Sequence, residues 1–179
     1  KIIAQGVSPV YERRLTTKAL KGRKSSIQNM SQSLTKLYIH LVFSTKGRTD
    51  TIPKRHINDV HTYIAGILKQ NNSPAIAIGG TSNHIHILFA LNKNISLSDI
   101  VRIVKTNSSK YINEKNGSLN PFFWQDGYGA FSISQSHIDD VKHYLEIQEE
   151  HHSKVDFKNE FRRICSIYGV EIDERYVWN

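Results

Sequence analysis

Two histidines separated by one residue form the part of this sequence best suited to bind a metal ion. His84 and His86 lie in the run TSNHIHILF, residues 81–89, whose branched and aromatic residues predict a buried strand. Side chains alternate along a strand, so both imidazoles are expected on one side and Ile85 and Ile87 on the other. Neutral imidazole is a common ligand of divalent cations. Since an isolated pair of this kind is more often a polar feature of a solvated sheet face, a metal site needs a third ligand from elsewhere.

A tyrosine and a glutamine one helical turn apart supply the complementary chemistry. Tyr144 and Gln148 are four residues apart in a segment with helical spacing, so their side chains are expected on the same face. Such a pair is usually a packing residue and a surface amide. A tyrosine hydroxyl is a weak nucleophile at its free pKa of about 10 and needs a Lewis acid or a base nearby. A divalent ion held by His84, His86 and the Gln148 carbonyl oxygen would polarise a phosphate under attack by Tyr144.

The elements that must position these groups follow from hydrophobic periodicity and turn signals. Strands are predicted over residues 34–44, 74–79, 84–89 and the last part of 127–134, the second and third forming a hairpin. Helices are predicted over residues 54–70, from 96 to about 111, from 136 to about 150, and from 157 to 168, with capping patterns at Ser96–Asp99 and Ser136–Asp139. This order predicts an α+β fold of the ferredoxin-like or RRM-like split βαβ type. We expect an antiparallel sheet with helices packed on one face, a nucleophile-bearing helix and a C-terminal helix.

The composition limits the class of protein to which this chain can belong. The chain has 179 residues, of which 39% are hydrophobic and 22% charged, as in an ordinary globular domain. No apolar run approaches the roughly 20 residues of a membrane helix, and no secretion signal is present, so a cytoplasmic protein without membrane contact is expected. The single cysteine, Cys165, lies on an apolar helical stripe and is expected to be a buried structural thiol.

Most of the net positive charge lies in the first 29 residues. They hold seven of the 24 Lys and Arg residues and one of the 16 acidic residues, so the net charge of +8 falls to +2 for residues 30–179. Residues 1–29 show no sustained period, and Met30, the sole methionine, follows them. We therefore expect residues 1–29 to be a basic leader of upstream or added sequence, and residues 30–179 to be the functional domain. A basic arm that binds nucleic acid is the alternative.

Four segments in one order resemble the single-tyrosine HUH transposases of small bacterial insertion sequences (the IS200-like superfamily), together with their relatives associated with repetitive extragenic palindromes. They are residues 43–48 (FSTKGR), 83–86 (NHIH), 124–132 (WQDGYGAFS) and 144–152 (YLEIQEEHH). The resemblance extends from about Thr35 to His152. The conjunction of the four segments is far more specific than any one of them.

The resemblance implies a metal-dependent endonuclease and strand transferase for single-stranded DNA. It implies that Tyr144 attacks a phosphodiester, becomes linked to the 5′ phosphate and leaves a free 3′ hydroxyl, and that reversal with another 3′ end rejoins the strands. By the same resemblance, His84, His86 and Gln148 would hold Mg²⁺ or Mn²⁺. The protein would be a homodimer that binds DNA hairpins near the ends of an element.

Several residues compete with these assignments. Tyr128, between two glycines, is a rival nucleophile; His151 and His152 could extend the metal site; and the side of the sheet on which His40 lies depends on strand register. A replication initiator or relaxase would share the chemistry. A non-catalytic RRM-like module that binds single-stranded nucleic acid is the alternative function, with Tyr38 and Phe89 as base-stacking candidates.

Phosphate contacts would have to come from clustered cations, because the net charge outside the leader is small. The candidates are Lys46, Arg48, Lys54, Arg55, Arg102, Lys105 and Lys110. Binding through these residues is expected to weaken steeply with added salt.

Overall fold

The computed structural model describes residues 33–116, 121–148 and 156–178, and within these ranges four strands form one antiparallel sheet. The strands are β1 (Tyr38–Ser44), β2 (Ala75–Gly80), β3 (His84–Ala90) and β4 (Gly129–Ile133). Their order in the sheet is β2-β3-β1-β4, and every neighbouring pair is antiparallel. The hairpin of β2 and β3 and the predicted α+β fold class are confirmed.

Four longer helices accompany the sheet in the described ranges: α1 (Ile57–Gln70), α2 (Leu97–Asn116), α3 (Ile138–Glu146) and α4 (Phe157–Ile167). The N-cap predicted for α2 is formed, since the Asp99 N–H donates to Ser96 Oγ at 3.0 Å. The capping pattern predicted for α3 at Ser136 and Asp139 is wrong. A 3-10 turn over residues 135–137 precedes that helix, so Ser136 lies inside the turn and no side chain caps the helix. None of the described helices combines the length and apolar character needed to cross a membrane.

The two faces of the sheet pack against different helices. One face contributes Leu41, Phe43, Ile85, Ile87 and Phe89 to the main core, which α1 and α2 complete. The other face packs against α3 and α4 through two smaller clusters, which join Val42 to residues of α4 and Leu88 to Leu145. Each fully buried aliphatic or aromatic side chain contributes about 1.5–3 kcal/mol by leaving water. The main core therefore fixes the position of β3, including the side chains that β3 directs towards α3 and α4.

Two glycines let α3 and α4 approach the sheet closely. A Cβ atom added at Gly79 of β2 would lie 2.3 Å from the carbonyl oxygen of Leu145. A Cβ atom added at Gly129 of β4 would lie 2.7 Å from Cε2 of Phe161. Both distances are shorter than a Cβ atom tolerates, so glycine at these positions lets α3 lie close to β2 and the Phe161 ring of α4 lie close to β4.

The division between leader and domain stays a prediction. Residues 34–179 form one compact unit, while residues 1–29 lie outside the described residues.

Candidate metal and nucleophile site

The two histidines of β3 are fully buried and face a glutamate of α4. Nε2 of His86 lies 3.4 Å from Oε1 of Glu160, and Nε2 of His84 lies 3.8 Å from Oε2 of the same carboxylate. One ligand atom from each of the three residues lies within 4.8 Å of the others. His84 and His86 are both 0% exposed, so the pair does not lie on a solvated sheet face.

The other ring nitrogen of each histidine contacts a polar neighbour. Nδ1 of His84 lies 2.6 Å from Oδ1 of Asn83 and 3.1 Å from Oγ1 of Thr81. Nδ1 of His86 lies 3.0 Å from Nε2 of His40. An Nδ1–H group that donates a hydrogen bond fixes the tautomer with a lone pair on Nε2, which is the usual state of a metal-binding histidine. The Asn83 side-chain oxygen is such an acceptor for His84, whereas the direction of the bond between His86 and His40 depends on their tautomers.

A divalent cation fits this donor set. Nε2 of His86 has no hydrogen-bond partner within the described ranges and is shielded from water, although a buried polar atom is normally bonded. Imidazole nitrogen and carboxylate oxygen are both ligands of divalent transition metals. The buried group of His84, His86 and Glu160 could therefore hold a metal ion.

His40 lies on the same face of the sheet as the histidine pair. The register of β1 and β3 places His40 opposite Leu88 and Val42 opposite His86, which resolves the side left open by the sequence. Burial, followed by the proximity of His86, lowers the pKa of His40 to about 3. His40 is thus a neutral hydrogen-bond partner of His86 at physiological pH and adds no positive charge to the site.

Tyr144 of α3 reaches the same glutamate. Its hydroxyl donates a hydrogen bond to Oε1 of Glu160, and its ring centroid lies 5.9 Å from that of His86. Burial and the neighbouring Glu160 raise the pKa of Tyr144 above its usual value, while Arg163 acts in the opposite direction. The hydroxyl is therefore protonated at neutral pH, and its oxygen becomes a better nucleophile only when the proton is removed.

Gln148 contacts the site from just beyond the end of α3, four residues after Tyr144 and two after Glu146, the last residue of that helix. It is 2% exposed, and its Nε2 donates to Oε1 of Glu160 at 2.9 Å. The structure thus brings His84, His86, Tyr144 and Gln148 together around one carboxylate. The amide presents its nitrogen rather than its oxygen to that carboxylate, and a 180° rotation would exchange the two atoms. The predicted ligand role of Gln148 stays a prediction.

Glu160 is the residue that the sequence interpretation missed. It is 4% exposed and lies on the face of α4 that carries Phe157, Phe161 and Ile164. Charged residues are almost never fully buried unless they are paired, so a glutamate on an apolar helical stripe was the available signal. Two further candidates, His151 and His152, lie outside the described residues.

A cavity of about 270 Å³ opens beside Tyr144, between α3 and α4. Its polar lining comes from His40, Tyr144, Glu160 and Arg163. The remaining lining residues are largely apolar, and among them Ile147 and Ile167 are exposed at 38% and 69%. The nucleophile candidate therefore faces a space that a substrate could enter.

The cations predicted to bind DNA are spread over both faces of the sheet. Lys54 lines a cavity with Gln148, and Arg48 lies 5.5 Å from the ring centroid of Trp178. Lys105 donates to the backbone carbonyls of residues 125–127 and its pKa is lowered by burial. The others, Lys46, Arg55, Arg102 and Lys110, are exposed. Lys105 thus has a structural role, and the DNA contacts of the set stay predictions.

The rival aromatic residues lie elsewhere. Tyr128 is 41% exposed and lines a separate cavity with Arg48 and Trp178. Phe89 is 0% exposed in the main core, so its predicted role in stacking on bases is wrong. The hydroxyl of Tyr38 donates to Gln135 at 3.0 Å, at the edge of the cluster formed by Leu88, Ile133 and Leu145.

Solved structures share this fold. A candidate transposase from Deinococcus radiodurans R1 aligns with a TM-score of 0.54 and 19% identity, over 68% of this chain and 98% of its own. A REP-associated tyrosine transposase, solved bound to a REP hairpin, aligns with a TM-score of 0.50 and 15% identity, over 72% of this chain and 76% of its own. No curated protein matches the chain. The fold of this chain is thus shared with both of these solved structures.

The family is established by the sequence itself. Residues 33–148 match the family described as Transposase IS200 like, and they make up more than half of the chain. The chain belongs to this transposase family, and the resemblance seen in the four sequence segments is confirmed. Helix α4, with Glu160, lies beyond the matched residues.

Proposed function

We propose that this protein is a metal-dependent transposase for single-stranded DNA in which Tyr144 is the nucleophile. The observation that carries the proposal is that Tyr144, Gln148, His84 and His86 converge on the buried carboxylate of Glu160. A weak nucleophile beside a proton acceptor and a set of metal ligands is the arrangement that activates a hydroxyl.

The ligands in this proposal are His84 and His86 through Nε2, Gln148 through its amide oxygen after rotation, and Glu160 through its carboxylate. Mg²⁺ or Mn²⁺ bound there would supply Lewis-acid polarisation of the phosphate. Two imidazole ligands are softer than Mg²⁺ usually selects, which favours Mn²⁺.

The protein groups account for each atom of the cleavage step. The Tyr144 oxygen forms a bond to phosphorus as the bond from phosphorus to the 3′ oxygen breaks. The hydroxyl proton passes to the Glu160 carboxylate, which already accepts its hydrogen bond, and the departing 3′ oxygen takes up a proton from solvent water to become a hydroxyl. Attack by another 3′ hydroxyl on the 5′-phosphotyrosine link reverses these changes and joins two strands.

The proposed substrate is single-stranded DNA with a hairpin, bound by a homodimer. The structural neighbour solved with a REP hairpin supports a hairpin partner. A DNA substrate also agrees with the cytoplasmic location expected from the sequence.

The test is to incubate the protein with labelled single strands from the DNA that flanks its own gene, in Mn²⁺ or Mg²⁺, and to run denaturing gels. We expect a covalent protein–DNA complex that Tyr144→Phe abolishes and Tyr128→Phe retains. Hairpin binding by Tyr144→Phe should persist. Binding without a covalent complex on any flanking strand would instead favour the non-catalytic RRM-like module.

A further inference from the structure

Two consecutive arginines of α4 have different surroundings. Arg162 pairs with Glu174 through two contacts, at 2.7 and 2.8 Å. Arg163 is exposed and forms no hydrogen bond or ion pair within the ranges that the structure describes. Arg163 is one of the residues that line the cavity beside Tyr144. An unpaired guanidinium group at a cavity wall is available to bind an anion.

Arg163 also supplies the positive charge of this cavity. Among the described residues that line it, Arg163 is the one lysine or arginine, and Glu160 is the one carboxylate. If Arg163 were absent, the Glu160 carboxylate would repel a phosphodiester that approaches Tyr144. No lysine or arginine among the described lining residues would then offset that repulsion. A guanidinium group can donate two parallel hydrogen bonds to phosphate oxygens, which fixes orientation as well as charge.

We propose that the cavity between α3 and α4 receives the scissile phosphodiester and that Arg163 binds its non-bridging oxygens, with the phosphorus beside the Tyr144 hydroxyl. This inference rests on the proposed function and adds a substrate-binding residue that lies beyond the family-matched residues 33–148. The exposed apolar groups at the rim, Ile147, Ile167 and Tyr168, would contact the sugars and bases that flank the phosphate.

The experiment first maps the cleaved bond from the covalent complex. Binding is then measured in the Tyr144→Phe background, in Mn²⁺, with DNA carrying either the normal scissile phosphate or an uncharged methylphosphonate at that position. A lost charge-assisted hydrogen bond should weaken binding of the modified strand about tenfold. In Arg163→Gln the normal strand should bind about tenfold more weakly, and the penalty for the methylphosphonate should shrink several-fold, to the part that the metal ion alone would account for.

Lys69→Gln is the control, because Lys69 is an exposed cation on α1, which packs on the other face of the sheet, and it is not among the predicted DNA contacts. It should leave the methylphosphonate penalty unchanged. A penalty that stays about tenfold in Arg163→Gln would overturn the proposal for Arg163, while the covalent complex formed by Tyr144 would still support the proposed function. Absence of a covalent complex with any strand would remove the proposed function and this inference together.

Discussion

The Tyr144 hydroxyl donates a hydrogen bond to the carboxylate of Glu160, although the two residues belong to different helices and are 16 positions apart. The same carboxylate oxygen accepts from Gln148 and lies 3.4 Å from His86. Glu160 thus contacts both the nucleophile candidate and the metal-ligand candidates. Its proposed roles as ligand and proton acceptor can be tested separately from DNA cleavage.

Replacement of Glu160 by glutamine should weaken metal binding. The substitution keeps the shape of the side chain and removes the negative charge that would offset a divalent cation, so we expect the affinity for Mn²⁺ to fall by about ten- to a hundredfold. Isothermal titration calorimetry without DNA measures this directly. Glu114→Gln, an exposed carboxylate on α2, is the control and should bind Mn²⁺ as the wild type does. Equal affinities for Glu160→Gln and the wild type would exclude Glu160 from the ligand set.

Substitution of the cations should separate structural residues from DNA contacts. For single strands, each phosphate contact adds about 0.7 to the slope of log affinity against log salt. We expect Lys54→Gln and Arg48→Gln each to make this slope shallower by about 0.7. Lys105→Gln should leave the slope unchanged and lower the melting temperature, because the Lys105 ammonium group binds the backbone carbonyls of residues 125–127. The measurements are fluorescence anisotropy over a salt series and thermal unfolding.

The parts of the site that could be predicted from the sequence depend on local periodicity. Alternation along β3 predicts that His84 and His86 share a face, and helical spacing predicts the same for Tyr144 and Gln148. The register of β1 decides the side on which His40 lies, and long-range strand pairing is not encoded in any local pattern.

Glu160 could not be placed from the sequence for a different reason. Its contacts with His84, His86 and Tyr144 depend on how α4 packs on the sheet, beside Gly129 and Phe161. The failed capping box at Ser136 has a local cause, since a 3-10 turn competes with the cap for the same residues. The element types were thus predictable, while their junctions and the tertiary contact that completes the site were not.

Stability should decline in weak acid in part through His61. Burial lowers the pKa of His61 to about 4 in the folded protein, against about 6.5 when unfolded. Between these values the unfolded chain binds more protons, so the free energy of unfolding falls as the pH falls from about 6.5 towards 4. Since His61 is only partly buried, we expect its protonation to lower the free energy of unfolding by on the order of 1 kcal/mol at pH 5.

Urea unfolding at pH 7 and pH 5, with a chelator present, checks the contribution of His61. His61→Gln should lose less stability between the two pH values than the wild type. His40 titrates in the same direction in both proteins, because burial lowers its pKa as well, and its effect cancels in the comparison. An identical pH dependence for the two proteins would show that His61 is not the group responsible.

Alanine substitutions at Gly79 and Gly66 should have opposite effects on stability, because Gly79 lies in the close contact between β2 and α3 and Gly66 does not. In Gly79→Ala the new methyl group would lie 2.3 Å from the Leu145 carbonyl oxygen, so α3 must move away from the sheet. Overpacking of this kind costs about 1–3 kcal/mol, and the movement displaces Tyr144 and Gln148 from Glu160. We therefore expect lower stability in urea and weaker Mn²⁺ binding from the same substitution.

Gly66 of α1 has no atom within 4 Å of an added Cβ, so Gly66→Ala should stabilise the protein by about 0.5–1 kcal/mol through helix propensity and leave Mn²⁺ binding unchanged. If Gly79→Ala bound Mn²⁺ as tightly as Gly66→Ala, the position of α3 would not control the metal site, and the ligand role proposed for Gln148 would fail with it.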